Sequence, residues 1–190
     1  MSRLRAECVP HARGDVLEIG IGSGLNLPFY SAHVRRVYGI DPSLELQRMA
    51  AKKASAVPFE VRLFAQSAED PFPLADSSID TIVMTWCLCS IPNPGIALQQ
   101  MKRVLKAEGQ MIFIEHGRSP EASVAAWQTG LTPLWRRVTG GCHLDRKIDD
   151  LIRAAGFHID EQHNFYLPGP RPMTYTYQGI ADVSFQDDEG

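Results

Sequence analysis

Apolar residues along the chain fall into short, nearly continuous runs at positions 16–19, 34–40, 59–64, 79–85 and 111–115. Two more follow at 157–160 and 174–180. The first five have the length and the Val/Ile/Phe content of buried strands rather than of short helices. Between them the spacing is helical. The segment after Asp41-Pro42-Ser43, through 56, is rich in Leu, Glu, Gln, Arg, Lys and Ala. Asn93-Pro94 reads as a cap followed by a first-turn proline, with Leu98, Met101, Val104 and Leu105 on one face and Gly109 as the stop. Asp145 is expected to cap a further helix carrying Ile148, Leu151, Ile152 and Ala155 and closed by Gly156. Strands alternating with helices predict an α/β fold, a mostly parallel, doubly wound sheet with helices on both faces. After Gly156 two strand-like runs follow with no helix between them, joined by the proline-rich stretch 167–172, so an antiparallel pair is expected at one edge.

Composition narrows the class. With 190 residues the chain is expected to be one domain, with a short N-terminal segment 1–14 and a frayed acidic tail 186–190. It holds 19 basic and 22 acidic residues for a net charge of −3, which argues against a dedicated nucleic-acid binder. No apolar run approaches the ~18 residues of a membrane span, and Met1-Ser2-Arg3-Leu4-Arg5 is not followed by a signal-peptide stretch. Four cysteines, at 8, 87, 89 and 142, are too few and too scattered for a disulfide framework, so a cytoplasmic protein with reduced thiols is expected.

Chemistry concentrates first in Val16-Leu17-Glu18-Ile19-Gly20-Ile21-Gly22-Ser23-Gly24. A buried strand runs into a loop with glycine at alternate positions and then, on this reading, into a helix whose open N–H groups would favour an anionic group. The next strand ends at Asp41, about 20 residues beyond the first glycine, where a carboxylate can accept hydrogen bonds from ribose hydroxyls. A glycine-rich turn without a ligand is the plain alternative. A dinucleotide loop would require Gly-x-Gly-x-x-Gly, but Leu25 stands where the third glycine belongs.

The compact Gly-x-Gly-x-Gly preceded by Glu18 instead resembles the first motif of class I S-adenosylmethionine-dependent methyltransferases. Further motifs follow in order. Ser67-Ala68-Glu69 with Pro71-Phe72 resembles the family's adenine-flanking stretch, with Ser67 in place of the usual acidic residue. The strand 78–85 followed by Trp86 resembles its fourth motif, and Arg103-Val104-Leu105-Lys106 with Gly109 its pre-strand helix and turn. The similarity covers roughly 14–160 and is nearest the ubiquinone/menaquinone-biosynthesis-like subgroup. Leu88-Cys89-Ser90, Glu115-His116, Trp127, Trp135 and Gly141-Cys142 also resemble small alkyl-thiol methyltransferases. The resemblance implies a Rossmann-like seven-stranded sheet with a reversed last strand, and S-adenosyl-L-methionine converted to S-adenosyl-L-homocysteine. It implies a cofactor site of Glu18, Gly20, Gly22, Gly24, Asn26, Asp41, Pro42, Ser67, Ala68, Glu69, Thr85 and Trp86. The acceptor it implies is a small molecule, with a thiol as the candidate, in an enzyme that is a monomer or homodimer. An NAD(P)-dependent oxidoreductase and a non-catalytic S-adenosylmethionine-binding regulator are the alternatives.

Acceptor residues are sought beyond the carboxyl ends of the fourth and fifth strands. The candidates are Cys87, His116, Trp127, Trp135 and His143, with His116 as a possible general base or, more plainly, a satisfied loop histidine. Cys87-x-Cys89 lacks a second pair at zinc spacing, so buried thiols and no metal are expected. Segment 120–139 reads as an amphipathic helix kinked at Pro133 that packs on the sheet and roofs part of the acceptor site. Arg136 and Arg137 are read as solvated rather than as membrane contacts. With the first strand starting about 15 residues in, cover for the acceptor is expected from this helix, a second subunit or residues upstream.

Overall fold

The structure, a computed structural model, describes residues 1–183; the predicted tail 186–190 lies outside them. Seven strands form one sheet: β1 (Gly14–Ile19), β2 (Val34–Ile40), β3 (Glu60–Phe64), β4 (Ile79–Thr85), β5 (Leu105–His116), β6 (His158–Tyr166) and β7 (Tyr175–Asp182). Their order is β3-β2-β1-β4-β5-β7-β6. The first five are mutually parallel, and β7 inserts antiparallel to both β5 and β6. The expected reversed edge is therefore present, although its connection, read as helix-free, holds one helical turn, Arg171–Thr174; the fold is the expected Rossmann-like one.

The helices are α1 (Ser2–Cys8), α2 (Leu44–Ala54), α3 (Pro94–Val104), α4 (Ala122–Val138), α5 (Ile148–Ala154) and the single turn α6 (Arg171–Thr174). None among the described residues is long and apolar enough to cross a membrane. Strand alternation divides the core between the two sheet faces. Leu17, Ile19, Ile82, Met84, Met111 and Phe113 pack with Leu98 and Met101 of α3 and Ile148 and Ile152 of α5. Val16, Val37, Val83, Ile112 and Ile114 point the other way and are covered by Leu4 and Cys8 of α1, with Val9 and Leu27.

Three local expectations are corrected. No α-helix follows the glycine loop: the whole β1–β2 connection holds only a short 3-10 turn, Leu27–Phe29. Pro28 inside it has no N–H to give, and the Asn26 side chain is committed elsewhere. Asp145 does not cap α5, which starts three residues later, at Ile148, with Lys147 at its N-cap. Gly109 is not a helix stop: α3 ends at Val104 and Gly109 lies within the long β5. Asn93 does hold the N-cap of α3 with Pro94 behind it, but its side chain donates to Glu69 Oε1 at 2.5 Å instead of capping. Pro133 lies inside α4, which runs on through it.

Candidate functional site

Strand order reverses at β1: the chain steps outward to β2 and β3, then crosses back to place β4 on the other side. In open α/β sheets the crevice beyond the carboxyl ends at such a switch point is where ligands bind. Here a cleft of about 510 Å³ opens there, within the range of small-molecule sites. It is lined by Gly20 and Gly22 after β1, Asp41, Pro42 and Ser43 after β2, Ser67 and Ala68 after β3, and Trp86, Cys87 and Ser90 after β4.

Asp41 organises its rim. One carboxylate oxygen accepts the Gly22 N–H at 3.0 Å and the other the Ser43 N–H at 2.8 Å. The glycine loop and the start of α2 are thereby joined by one side chain. Gly20 has φ +67°, and a Cβ there would lie 2.5 Å from the Cβ of Cys87, so the loop can approach the β4 loop only without one. Gly24 faces away from the cleft, against Leu27 and Ala50 of α2.

Beneath the loop lies a buried polar network. Glu18 accepts from Asn26 Nδ2 at 3.0 Å and from the Tyr30 hydroxyl at 2.8 Å, while Asn26 also donates to Thr85 Oγ1 at 3.0 Å. Glu18 and Asn26 are each 1% exposed. Burial pushes the Glu18 carboxyl up to about 8, against the pull of its hydrogen bonds and of Arg5. Glu18, Asn26 and Thr85 thus tie the loop down, and with Gly20 and Gly22 they line a smaller pocket of about 80 Å³ on the loop. Arg5 of α1 donates to Asn26 Oδ1 at 2.8 Å, and its guanidinium stacks 4.7 Å from the Trp86 ring centre. The N-terminal segment, in which no site residue was sought, therefore reaches the loop; a lone arginine in a short helix carries no sequence signal of that.

The β4 loop is held as tightly. Trp86 adopts φ +55°, a left-handed conformation costly for a bulky residue. Its buried indole nitrogen has no hydrogen-bond partner among the described residues. Glu115, wholly buried on β5, accepts the N–H groups of Cys87, Leu88 and Cys89 at 2.9, 3.0 and 3.2 Å. From the opposite side Arg146 donates to the carbonyls of Leu88, Ile91 and Pro92. Neither Glu115 nor Arg146 was among the expected site residues. An acid at a strand end and a base near a helix start are unremarkable in sequence; only the fold shows them clamping one loop.

The acceptor candidates separate. His116 ends β5 with its ring 6.2 Å from that of Trp86, and its imidazole clusters with the Cys89 and Cys142 sulfurs within 4.8 Å. The two sulfurs are 3.4 Å apart. Of this pair Cys142 is drawn toward the thiolate by Cys89, against its burial and with help from His116 and Trp135, whereas Cys142 and then burial hold Cys89 protonated. All four cysteines are free, as expected. Trp135 packs on this cluster. His143 meets it through its backbone, N–H to the Cys89 carbonyl at 2.9 Å. Trp127 does not join: it is 66% exposed, on a separate depression of α4 with Ser123 and Gly130. Glu69 also stands apart from the cleft lining, held by Asn93. Arg136 and Arg137 are exposed.

Comparison with known proteins agrees with this geometry. Residues 17–113 match the family model described as a methyltransferase domain. Over 146 residues the chain is 36% identical to thiol S-methyltransferase TMT1B of Rattus norvegicus, which covers 75% of this chain and 59% of the relative. The chain thus spans less than two thirds of that relative's length. It is 30% identical over 162 residues to phosphatidylethanolamine N-methyltransferase of Cereibacter sphaeroides, covering 84% of this chain and 78% of the relative. A solved SAM-dependent methyltransferase from Methanosarcina mazei superposes with a TM-score of 0.71 at 23% identity, over 90% of this chain and 93% of the other.

Proposed function

Because the chain belongs to the S-adenosylmethionine-dependent methyltransferases, we propose that its acceptor is a small thiol and that the cleft at the switch point is where transfer occurs. The fit of the cofactor rests on this chain's own groups: the close-packed loop at Gly20 and the Asp41 carboxylate beside it, both facing a cleft of suitable volume. On this reading the sulfonium and amino-acid end lies on Gly20 and Gly22, with Asp41 accepting from the ribose hydroxyls. Pro42, Ser67 and Ala68 form the adenine wall, with Glu69 at its margin. Trp86 closes the cleft toward the acceptor. Glu18, Asn26 and Thr85 line the small pocket beside Gly20 and Gly22, at the amino-acid end of the cofactor, and Gly24 sets the loop.

When bound, S-adenosylmethionine supplies the activated methyl group. The protein's work is then to hold the acceptor in line, exclude water and accept a proton. His116, beside Trp86 at the end of β5, is placed for the proton. The acceptor sulfur gains the methyl carbon as the carbon–sulfonium bond breaks, and the products are a thioether and S-adenosyl-L-homocysteine.

The thiol is favoured over an amine by the relative of higher identity and by a cysteine–histidine cluster whose chain neighbours Ser90 and Gly140 line the cleft. We place the whole chain in one cytoplasmic methyltransferase domain, a monomer or homodimer. Calorimetry with S-adenosylmethionine and, separately, NADH tests the cofactor assignment. Saturable binding of the first alone is expected; binding of NADH alone would refute it.

A further inference from the structure

Cys89, His116 and Cys142 come from three separate stretches: the loop after β4, the end of β5 and the loop after α4. The fold gathers one sulfur, one imidazole nitrogen and a second sulfur within 4.8 Å of one another. Cys89 is 1% and Cys142 6% exposed, and His116 is half-buried. The sulfurs, 3.4 Å apart, are too far for a disulfide bond of about 2.05 Å. They are a few tenths of an ångström closer than the ~3.8 Å expected for two thiolates on a tetrahedral zinc ion with Zn–S near 2.3 Å. A small opening of the pair would admit the ion.

We propose that Cys89, Cys142 and His116 bind one zinc ion, leaving its fourth position for the acceptor thiol. Two sulfurs and one imidazole form a soft donor set suited to zinc. Three protein ligands with one open position are the pattern of a catalytic zinc site, whereas structural sites are closed by four. No fourth histidine, cysteine or carboxylate joins the cluster among the described residues. Glu115, next in sequence to His116, is already occupied by three backbone N–H groups. The loop that carries Cys89 is clamped by Glu115 and Arg146, so that ligand is held in place before metal arrives.

The site adjoins the transfer cleft. Ser90 and Gly140, one and two residues from Cys89 and Cys142, line that cleft, and the Trp86 ring lies beside His116. This second part, the role of the fourth position, rests on the thiol reading above. With zinc bound His116 is a ligand and not the base, so a thiol entering the fourth position releases its proton to solvent and stays bound as thiolate, a competent nucleophile at neutral pH. Its sulfur then forms the bond to the methyl carbon while the carbon–sulfonium bond breaks. The neutral thioether that results is a weaker ligand and leaves. No electron is gained or lost by the metal.

The cysteine spacing hides this site: Cys87-x-Cys89 looks like a lone pair, yet only Cys89 takes part, and its partners lie 27 and 53 residues further on.

The test begins with metal analysis of the full chain purified without chelator. Roughly one zinc per chain is expected, retained in Cys8→Ser and lost in Cys89→Ser and Cys142→Ser. Circular dichroism of each variant identifies any loss that comes from unfolding; His116→Ala, which removes a ligand without touching a buried sulfur, is then the second variant. Cobalt(II) substituted into the wild type should show thiolate-to-metal charge transfer and four-coordinate d–d bands. Adding benzyl mercaptan should strengthen the charge-transfer band. Wild type that binds zinc and cobalt no better than Cys142→Ser would overturn the site, even with thiol methylation intact. A cobalt spectrum indifferent to a thiol that the enzyme does methylate would overturn the role of the fourth position. Failure to methylate any thiol would instead strike the thiol reading, which the metal analysis does not touch.

Discussion

The carboxylate of Glu115, with no exposed surface, accepts the backbone N–H of Cys89 at 3.2 Å. With its bonds to Cys87 and Leu88 it satisfies three successive donors that would otherwise be buried without partners. Glutamine keeps one oxygen but turns an NH2 toward donors, leaving at least one N–H unsatisfied. Glu115→Gln should therefore cost about 1–3 kcal/mol in urea unfolding, and Glu115→Ala more, because all three bonds go. Unchanged midpoints in both would show that the clamp does not hold the loop.

Glu18 makes stability depend on pH. Its folded pKa of about 8 lies above the 4.5 of an ordinary carboxyl, so between these values the folded state binds more protons than the unfolded chain. Stability should then fall as pH rises from about 4.5 to 8 and level off above. Glu18→Gln keeps an acceptor for Asn26 and can donate to the Tyr30 oxygen, and should reduce the slope, leaving the part due to Glu115, which burial also pushes up. Thermal melts across this range check both; a wild-type profile that rises through the window contradicts the assignment.

The loop should discriminate between its glycines. Both Gly20 and Gly22 have positive φ, which costs an alanine about 1–2 kcal/mol at either site. Only at Gly20 does the added methyl also meet a neighbour, Cys87 Cβ at 2.5 Å; at Gly22 the nearest atom is 3.8 Å away. Gly20→Ala should lower the melting temperature more than Gly22→Ala. The reverse order would mean that the loop packs differently against the β4 loop.

What was readable beforehand follows the physics of each element. Buried parallel strands are continuous apolar runs, so β1 to β5 stood out, and a connection after Gly156 too short in helical pattern for a crossover, only the turn α6, exposed the reversed edge. Asp41 was visible because a strand end and a glycine loop put it in known register. The β1–β2 connection was misread because Pro28 and the buried Asn26 side chain override local helical spacing. Trp127 stands away from the cleft, because helical periodicity gives a face but not what covers it; 66% of it stays exposed. The roles of Arg5, Glu115 and Arg146 were not readable, even with Glu115 inside a noted motif, because each acts on backbone or side chains more than 20 residues away.

Division of labour between cofactor and acceptor residues gives a further test. Asp41 joins the glycine loop to α2 and faces the cleft, so Asp41→Ala should weaken S-adenosylmethionine binding about 10- to 100-fold, the worth of a hydrogen bond to a charged group. His116→Ala should leave that affinity nearly unchanged and lower turnover instead. Equal losses of affinity in calorimetry would show that the division is wrong.

The most direct measurement is the fate of the methyl group. S-Adenosylmethionine labelled on its methyl carbon is incubated with the wild-type enzyme and, in separate reactions, benzyl mercaptan, a phenol and phosphatidylethanolamine, and products are followed by mass spectrometry. The expected result is labelled methyl benzyl sulfide formed in step with S-adenosyl-L-homocysteine, with little product from the other two. Label appearing on the amine or the phenol, with the thiol left unmethylated, would contradict a thiol methyltransferase.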